Sequence, residues 1–204
     1  MSFPEFFDRA PLIRLRDPLA ELLGASADGI IEYRFADAVR LAGHACPTVA
    51  GAFLMARAAL AALYPDDLPE RGAIAVLMPA AEEEGTTGVV AQVLTLITGA
   101  AGVNGFKGLG GRFARHGLLR FGGDGDGVLF QRRDNGAAVT VSLDLSSVPP
   151  HPRLRLLLPA VLQDEADADL RRAFAAAWQD RVRRLLLEHA DDPNVVRVRA
   201  AAAA

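Results

Sequence analysis

The sequence is poor in cysteine, and this scarcity excludes two common ways of stabilising a small protein. The 204 residues include one cysteine, Cys46. A single cysteine cannot form a disulfide within the chain, and the lack of a second one excludes a structural zinc finger. The fold must therefore rest on a hydrophobic core, for which a hydrophobic content of 51% is ample.

Long apolar runs and an excess of positive charge are also missing. Arg, Asp, Glu or Gly interrupts each apolar stretch before it reaches the roughly eighteen residues of a membrane span. A net charge of −3 and a pI near 5.8 argue against a general nucleic-acid binder. Residues 1–18 lack the basic start and apolar centre of a signal peptide. We therefore expect a cytoplasmic protein whose partners include neither membrane nor nucleic acid.

The most specific feature that is present is the pentapeptide Gly43-His44-Ala45-Cys46-Pro47. An alanine-rich apolar run follows as far as Leu63, and proline is favoured at the first position of a helix. Cys46 is therefore predicted at or beside the N-cap, where the helix dipole and unpaired N–H groups stabilise a thiolate. With His44 it offers two metal ligands or a nucleophile beside a base. A buried, inert thiol that packs as a small hydrophobic group, with His44 capping the preceding helix, is the structural alternative.

The remaining pattern mixes helices with strands. The long C-terminal helix is amphipathic, with its arginines (Arg171, Arg172, Arg181, Arg183 and Arg184) predicted on a solvated face. A strand at 71–79 is continuous in apolar character and is expected to be buried on both faces. Three short strands from Leu118 onward are predicted to form an antiparallel meander. The predicted helices cover 17–23, 35–42, 47–63, 89–98, 153–162 and 167–189, and the predicted strands cover 29–35, 71–79, 118–121, 127–132, 137–144 and 194–199.

Two further segments carry groups that bind ions. Glu82, Glu83 and Glu84 follow the buried strand, where a charge run is more often a solvated loop than a ligand set. The glycine-rich loop 99–111 contains Lys107, and its backbone N–H groups with that cation are suited to an anion. Its spacing matches neither a Walker A loop nor a dinucleotide fingerprint, so a tight connection explains it equally well.

These elements, in this order, resemble the FmdE-like family, which is named after a component of formylmethanofuran dehydrogenase. The resemblance rests on His44-Ala45-Cys46-Pro47 opening an alanine-rich helix, on Thr98-Gly99, and on Gly105-Phe106-Lys107-Gly108-Leu109 before the meander. It implies an α+β fold with a mixed β-sheet covered by helices, and a homodimer. Two further cysteines and the C-terminal zinc ribbon of the family are absent, so the resemblance is to a stand-alone member. The expected organisation is an N-terminal helical extension at 1–28, the FmdE-like domain at 29–145, and a proline linker with C-terminal helices at 146–204.

The resemblance also implies a metal site with His44 and Cys46 as ligands. Glu83 and His116 are the candidates to complete it, and a site with few obvious ligands is expected to keep an open position. Zinc is the first expectation, with nickel or iron next, since all three accept imidazole and thiolate. Two other hypotheses stay open: a metal-independent thiol enzyme with Cys46 as nucleophile and His44 as base, and a haem-binding or purely structural dimer. Lys107 is the candidate contact for a small-molecule ligand.

Overall fold

The computed structural model describes residues 3–163 and 166–201 of the chain. Within them a five-stranded sheet carries helices on one face. The elements in chain order are a 3₁₀ helix (Glu5–Arg9), β1 (Ile13–Arg16), α1 (Pro18–Leu22), β2 (Ile30–Tyr33), α2 (Phe35–Ala42), α3 (Pro47–Leu63), β3 (Ile74–Leu77), α4 (Thr87–Thr98), β4 (Leu119–Arg120), β5 (Val128–Arg132), β6 (Ala138–Leu143), α5 (Leu154–Val161), α6 (Ala168–Leu187) and β7 (Val196–Ala201).

The sheet is mixed, and this confirms the predicted α+β class. Its strand order is β4-β3-β5-β6-β7, with β3 and β4 parallel and the other neighbours antiparallel. The prediction that β4, β5 and β6 form one meander was wrong, because β3 lies between β4 and β5. The antiparallel run is instead β3-β5-β6-β7, and it ends in the C-terminal strand β7. In a separate sheet, β1 pairs with β2. The segment 1–28, for which the sequence predicts a helical extension, therefore also contains a strand.

Helix α3 lies at the centre of the hydrophobic core. It packs on β5, β6 and β7 and also contacts α2, α4 and α6. Since the sheet is covered on one face, its strands alternate: Ile74 and Val76 of β3 are buried, whereas Ala75 and Leu77 are half-buried. The prediction that β3 is buried on both faces was therefore wrong.

The C-terminal helix α6 docks on this core. Asp167 caps its N-terminus by accepting a hydrogen bond from Leu170 N–H, and Val182 and Leu185 on its apolar stripe are buried. The helix contacts α3 and α5, which brings residues far apart in the sequence beside the start of α3. In the part of the chain that the structure describes, no helix combines the length and apolar character that crossing a membrane requires.

Candidate functional site

The turn between α2 and α3 has the geometry that the sequence predicts. Gly43 ends α2 in the left-handed conformation, with φ +75°, which favours glycine. Cys46 is the N-cap of α3, and its Sγ accepts a hydrogen bond from Val49 N–H at 3.5 Å. Pro47 occupies the first helical position, where its missing N–H costs no hydrogen bond. The local sequence thus fixes the thiol at the start of a buried helix.

The imidazole of His44 presents one nitrogen outward. His44 is exposed, and its Nδ1 lies 2.9 Å from the carbonyl oxygen of Ala42. Because a carbonyl only accepts, Nδ1 carries the proton of the neutral ring and Nε2 keeps its lone pair. This arrangement, one ring nitrogen bound to a backbone carbonyl, is the one that orients histidine ligands in metal sites. His44 is therefore set to accept a metal ion or a proton through Nε2.

Helix α6 holds the peptide between the two candidate ligands. The indole Nε1 of Trp178 donates to the carbonyl oxygen of Ala45 at 2.9 Å, and Nε2 of Gln179 donates to the same oxygen at 3.4 Å. Both donors lie more than 130 residues from Ala45 in the sequence. Sequence reasoning missed this role, because a helical stripe of apolar residues shows which face is buried but not which turn it covers.

Arg181 and Arg184 of α6 donate hydrogen bonds to backbone carbonyls. The prediction that they lie on a purely solvated face was therefore wrong. Arg181 donates from Nε to Val148 O at 2.6 Å and from Nη2 to Leu145 O at 3.1 Å. Arg184 donates to Pro149 O at 2.6 Å. Burial and the neighbouring Arg184 lower the pKa of Arg181. These bonds tie the proline linker to α6 and place the Arg181 guanidinium beside the start of α3.

His44 and Cys46 line one pocket of about 420 Å³. Its walls are largely apolar, and few of the residues that line it carry polar side chains: the two candidate ligands, Thr48, Trp178 and Arg181. The apolar side chains that line it are Pro47, Leu145, Pro150 and Leu154. A small number of polar groups in an apolar cleft is typical of a ligand pocket.

The other predicted ligands lie elsewhere. Glu83 and His116 are exposed, and neither lines the pocket of His44 and Cys46. Within residues 3–163 and 166–201, no three or more His, Cys, Asp or Glu side chains form a group able to hold a metal ion. The structure therefore brings His44 and Cys46 together but does not add Glu83 or His116 to them.

A second, larger pocket of about 790 Å³ lies beside α4 and β4. Residues 101–104 of the glycine-rich loop form part of its wall, and Arg71 and Arg120 also line it. Lys107, the predicted ligand contact of that loop, is exposed and lines neither of these two pockets.

Arg71 belongs to a cluster of charged residues that the sequence did not reveal. Asp17 accepts hydrogen bonds from Arg71 Nη1 at 3.0 Å and from Arg115 Nη2 at 2.7 Å. Burial alone raises the pKa of Asp17, but the charge of Arg115 and the hydrogen bond from Arg71 outweigh it, and the pKa lies below its ordinary value. Burial lowers the pKa of Arg115, and Arg71 acts in the same direction. Two cations thus share one buried carboxylate.

Comparison with known proteins gives a distant likeness. No family model matches the chain. No curated protein matches it either. A solved structure from Syntrophus aciditrophicus, described as a tungsten formylmethanofuran dehydrogenase FmdE-like protein, aligns with a TM-score of 0.46 and 16% identity, covering 83% of this chain and 72% of that chain. At this identity and TM-score, the family resemblance of the sequence stays a prediction.

Proposed function

We propose that the protein binds a transition metal ion, zinc in the first place, through His44 Nε2 and Cys46 Sγ. The observation that carries the proposal is that both side chains line one pocket while a backbone carbonyl fixes the tautomer that leaves Nε2 free. Imidazole and thiolate are donors that zinc, nickel and iron all accept. The donor set fits such an ion, and two protein ligands leave open positions on it. An ion bound this way supplies a Lewis acid to a molecule in the pocket.

The other residues of the pocket have separate roles in this proposal. Trp178 and Gln179 donate hydrogen bonds to the carbonyl oxygen of Ala45. These bonds fix the backbone between His44 and Cys46 and so restrict the positions of the two ligands. Arg181 places a positive charge in the same pocket. That charge opposes a bare divalent cation but attracts an anionic molecule. The pocket therefore favours a metal ion whose open positions carry an anion, with the apolar walls in contact with the rest of that molecule.

The test is metal binding by purified protein without affinity histidines. We expect near-stoichiometric zinc by elemental analysis and a cobalt–thiolate charge-transfer band after substitution with Co²⁺. Cys46→Ser keeps an oxygen that can cap α3, so loss of metal from this variant reports the missing ligand rather than a lost cap. His44→Gln is expected to weaken binding as well. Absence of zinc, nickel, iron and cobalt binding in the wild type would contradict the proposal, and so would full retention of metal by both variants.

His116→Ala and Glu83→Gln separate the proposed two-ligand site from the four-ligand set that the sequence predicts. Both side chains are exposed, so their substitution is expected to leave the fold intact. Unchanged affinity in the two variants supports a site made by His44 and Cys46. A loss of affinity would show that either residue reaches the ion when it binds.

Haem is the second candidate ligand for the same pocket. Leu145, Pro150, Leu154 and Trp178 give it apolar walls beside Cys46, an environment that suits a macrocycle with a thiolate ligand. Titration with haemin is expected to give a Soret band that Cys46→Ser shifts or abolishes. No change in the spectrum of added haemin would remove this candidate.

The thiol-enzyme hypothesis has less support in the geometry. Cys46 is 9% exposed, and its thiol accepts from Val49 N–H while His44 Nδ1 contacts Ala42 O, so neither bond joins base to nucleophile. Rapid alkylation of metal-free Cys46 at neutral pH, abolished by His44→Gln, would favour this hypothesis over metal binding.

We also propose a homodimer, as the family resemblance implies. Light scattering coupled to gel filtration distinguishes a dimer from the 21.6 kDa chain. A concentration-independent monomer would contradict the proposal.

A further inference from the structure

The pocket beside α4 and β4 differs in chemistry from the pocket of His44 and Cys46. Two guanidinium groups line it, those of Arg71 and Arg120, together with the polar side chains of Gln92, Thr95 and Asn104. Apolar side chains complete the wall: Leu41, Leu96, Val103, Leu119 and Phe121. Its volume of about 790 Å³ lies within the range of small-molecule sites.

Arg71 is held rigidly where it meets this pocket. Its Nε and Nη2 donate to Leu96 O at 3.3 and 3.0 Å, and its Nη1 donates to Asp17 at 3.0 Å. Its side chain nevertheless keeps 21% of its surface accessible. A guanidinium has five N–H donors, so two N–H groups of Arg71 are not used by Leu96 or Asp17. Because Arg71 is already ordered, little side-chain entropy is lost when it binds.

The cluster of Arg71, Arg115 and Asp17 carries two positive charges and one negative charge. Arg115 is 7% exposed at its side chain and shares the one carboxylate of Asp17 with Arg71. Its Nε and Nη1 donate to no acceptor among the described residues. Glu70 is the next acidic group that acts on Arg115, and it is exposed to solvent. One excess positive charge thus lies buried next to the pocket, where the field is screened less than at the surface.

We propose that this pocket binds a small molecule that carries an oxyanion, a carboxylate or phosphate, on an apolar body. The oxyanion lies against Arg71 and Arg120, which matches the fork geometry of guanidinium groups. The apolar body contacts Leu96, Leu119 and Phe121. Glu82 also lines the pocket and repels a second negative charge, so the pocket selects a ligand with one acidic group or with a donor facing Glu82.

The experiment is a titration of ¹⁵N-labelled full-length protein with phenylphosphonate, followed by amide chemical shifts. We expect shifts at Thr95, Ala101, Gly102 and Asn104, and no comparable shifts with neutral benzamide. Arg120→Gln is expected to weaken binding about tenfold, the effect of losing one charge-assisted contact. Arg155→Gln on α5 is the matched control, since Arg155 is an exposed arginine outside the pocket. The affinity of this variant for phenylphosphonate should equal that of the wild type.

Arg71→Lys provides a second test that keeps the charge of the cluster but removes the fork. It is expected to weaken binding and also to lower the thermal transition, because lysine loses the paired hydrogen bonds to Leu96 O. Equal affinity for phenylphosphonate in Arg120→Gln and Arg155→Gln would overturn the proposal. Equal shifts with benzamide and phenylphosphonate would overturn it too, because they would show an apolar pocket without anion selection. Shifts of these amides on dilution alone would assign the surface to a second copy of the chain and also overturn it.

Discussion

Arg115 and Asp17, 98 residues apart in the sequence, form an ion pair of 2.7 Å in which both side chains are almost fully buried. Asp17 also caps α1, accepting hydrogen bonds from Leu19 and Ala20 N–H. Asp17 also accepts from Arg71, so one carboxylate joins the N-terminal segment to the loop before β3 and to the loop between α4 and β4. The pair has consequences for stability that separate variants can measure.

Asp17→Asn is expected to destabilise the protein by about 3 to 5 kcal/mol, the usual effect of removing one partner from a buried ion pair. Asparagine keeps an oxygen to cap α1 but leaves two guanidinium groups without a counter-charge. Urea denaturation measures the change. Asp124→Asn, at an exposed turn, is the control and is expected to stay within about 0.5 kcal/mol of the wild type. A similar small change in Asp17→Asn would show that the pair contributes no net stability.

The same pair predicts a loss of stability in acid. The folded-state pKa of Asp17 is lowered, so its contribution is fully present above its unfolded pKa of about 3.9 and is lost as the pH falls through the folded value. The difference in unfolding free energy between wild type and Asp17→Asn should be constant near neutral pH and shrink in acid. Other carboxylates titrate in both proteins and cancel. A difference that does not change with pH would contradict the assignment.

Gly72 is expected to tolerate no side chain, because Arg115 fills the space beside it. Its φ is +90°, and a Cβ there would overlap Nη1 of Arg115. Gly24 has a similar φ of +71° with open space around it. Gly24→Ala should cost about 1 to 2 kcal/mol for the left-handed backbone alone, and Gly72→Ala should cost about 1 to 3 kcal/mol more for the clash. Equal thermal transitions in the two variants would show that Arg115 moves freely.

Trp178→Phe is expected to loosen the turn that carries His44 and Cys46. Phenylalanine keeps the ring packing but loses the donor to Ala45 O, a hydrogen bond worth about 1 kcal/mol. The reaction rate of Cys46 with a disulfide reagent in the metal-free protein should rise, since the thiol is exposed more often. Phe174→Leu removes the neighbouring ring, 5.7 Å from Trp178, and leaves the hydrogen bond in place. If it raises the rate as much, the hydrogen bond has no special role.

The helix ends around the candidate site follow from the sequence alone. The predicted ranges 35–42 and 47–63 coincide with α2 and α3. Glycine in the left-handed conformation and proline at the first helical position act within one turn of chain, so local sequence is sufficient to place Cys46 at the N-cap. The ends of α4, α5 and α6 were also predicted to within two residues, with a left-handed Gly99 ending α4 and Asp167 capping α6.

The surroundings of that helix start depend on contacts between segments that are distant in the sequence. The parallel pairing of β4 with β3 joins segments about forty residues apart, and no local signal distinguishes it from a hairpin with β5. Trp178 and Arg181 reach the pocket because α6 docks on α3. Arg115 reaches Asp17 because the chain after the glycine-rich loop folds back and places the Arg115 side chain beside Gly72 and Gly99. Sequence periodicity fixes which face of an element is apolar. The partner of that face, and the charged residues it brings together, depend on how all the elements pack.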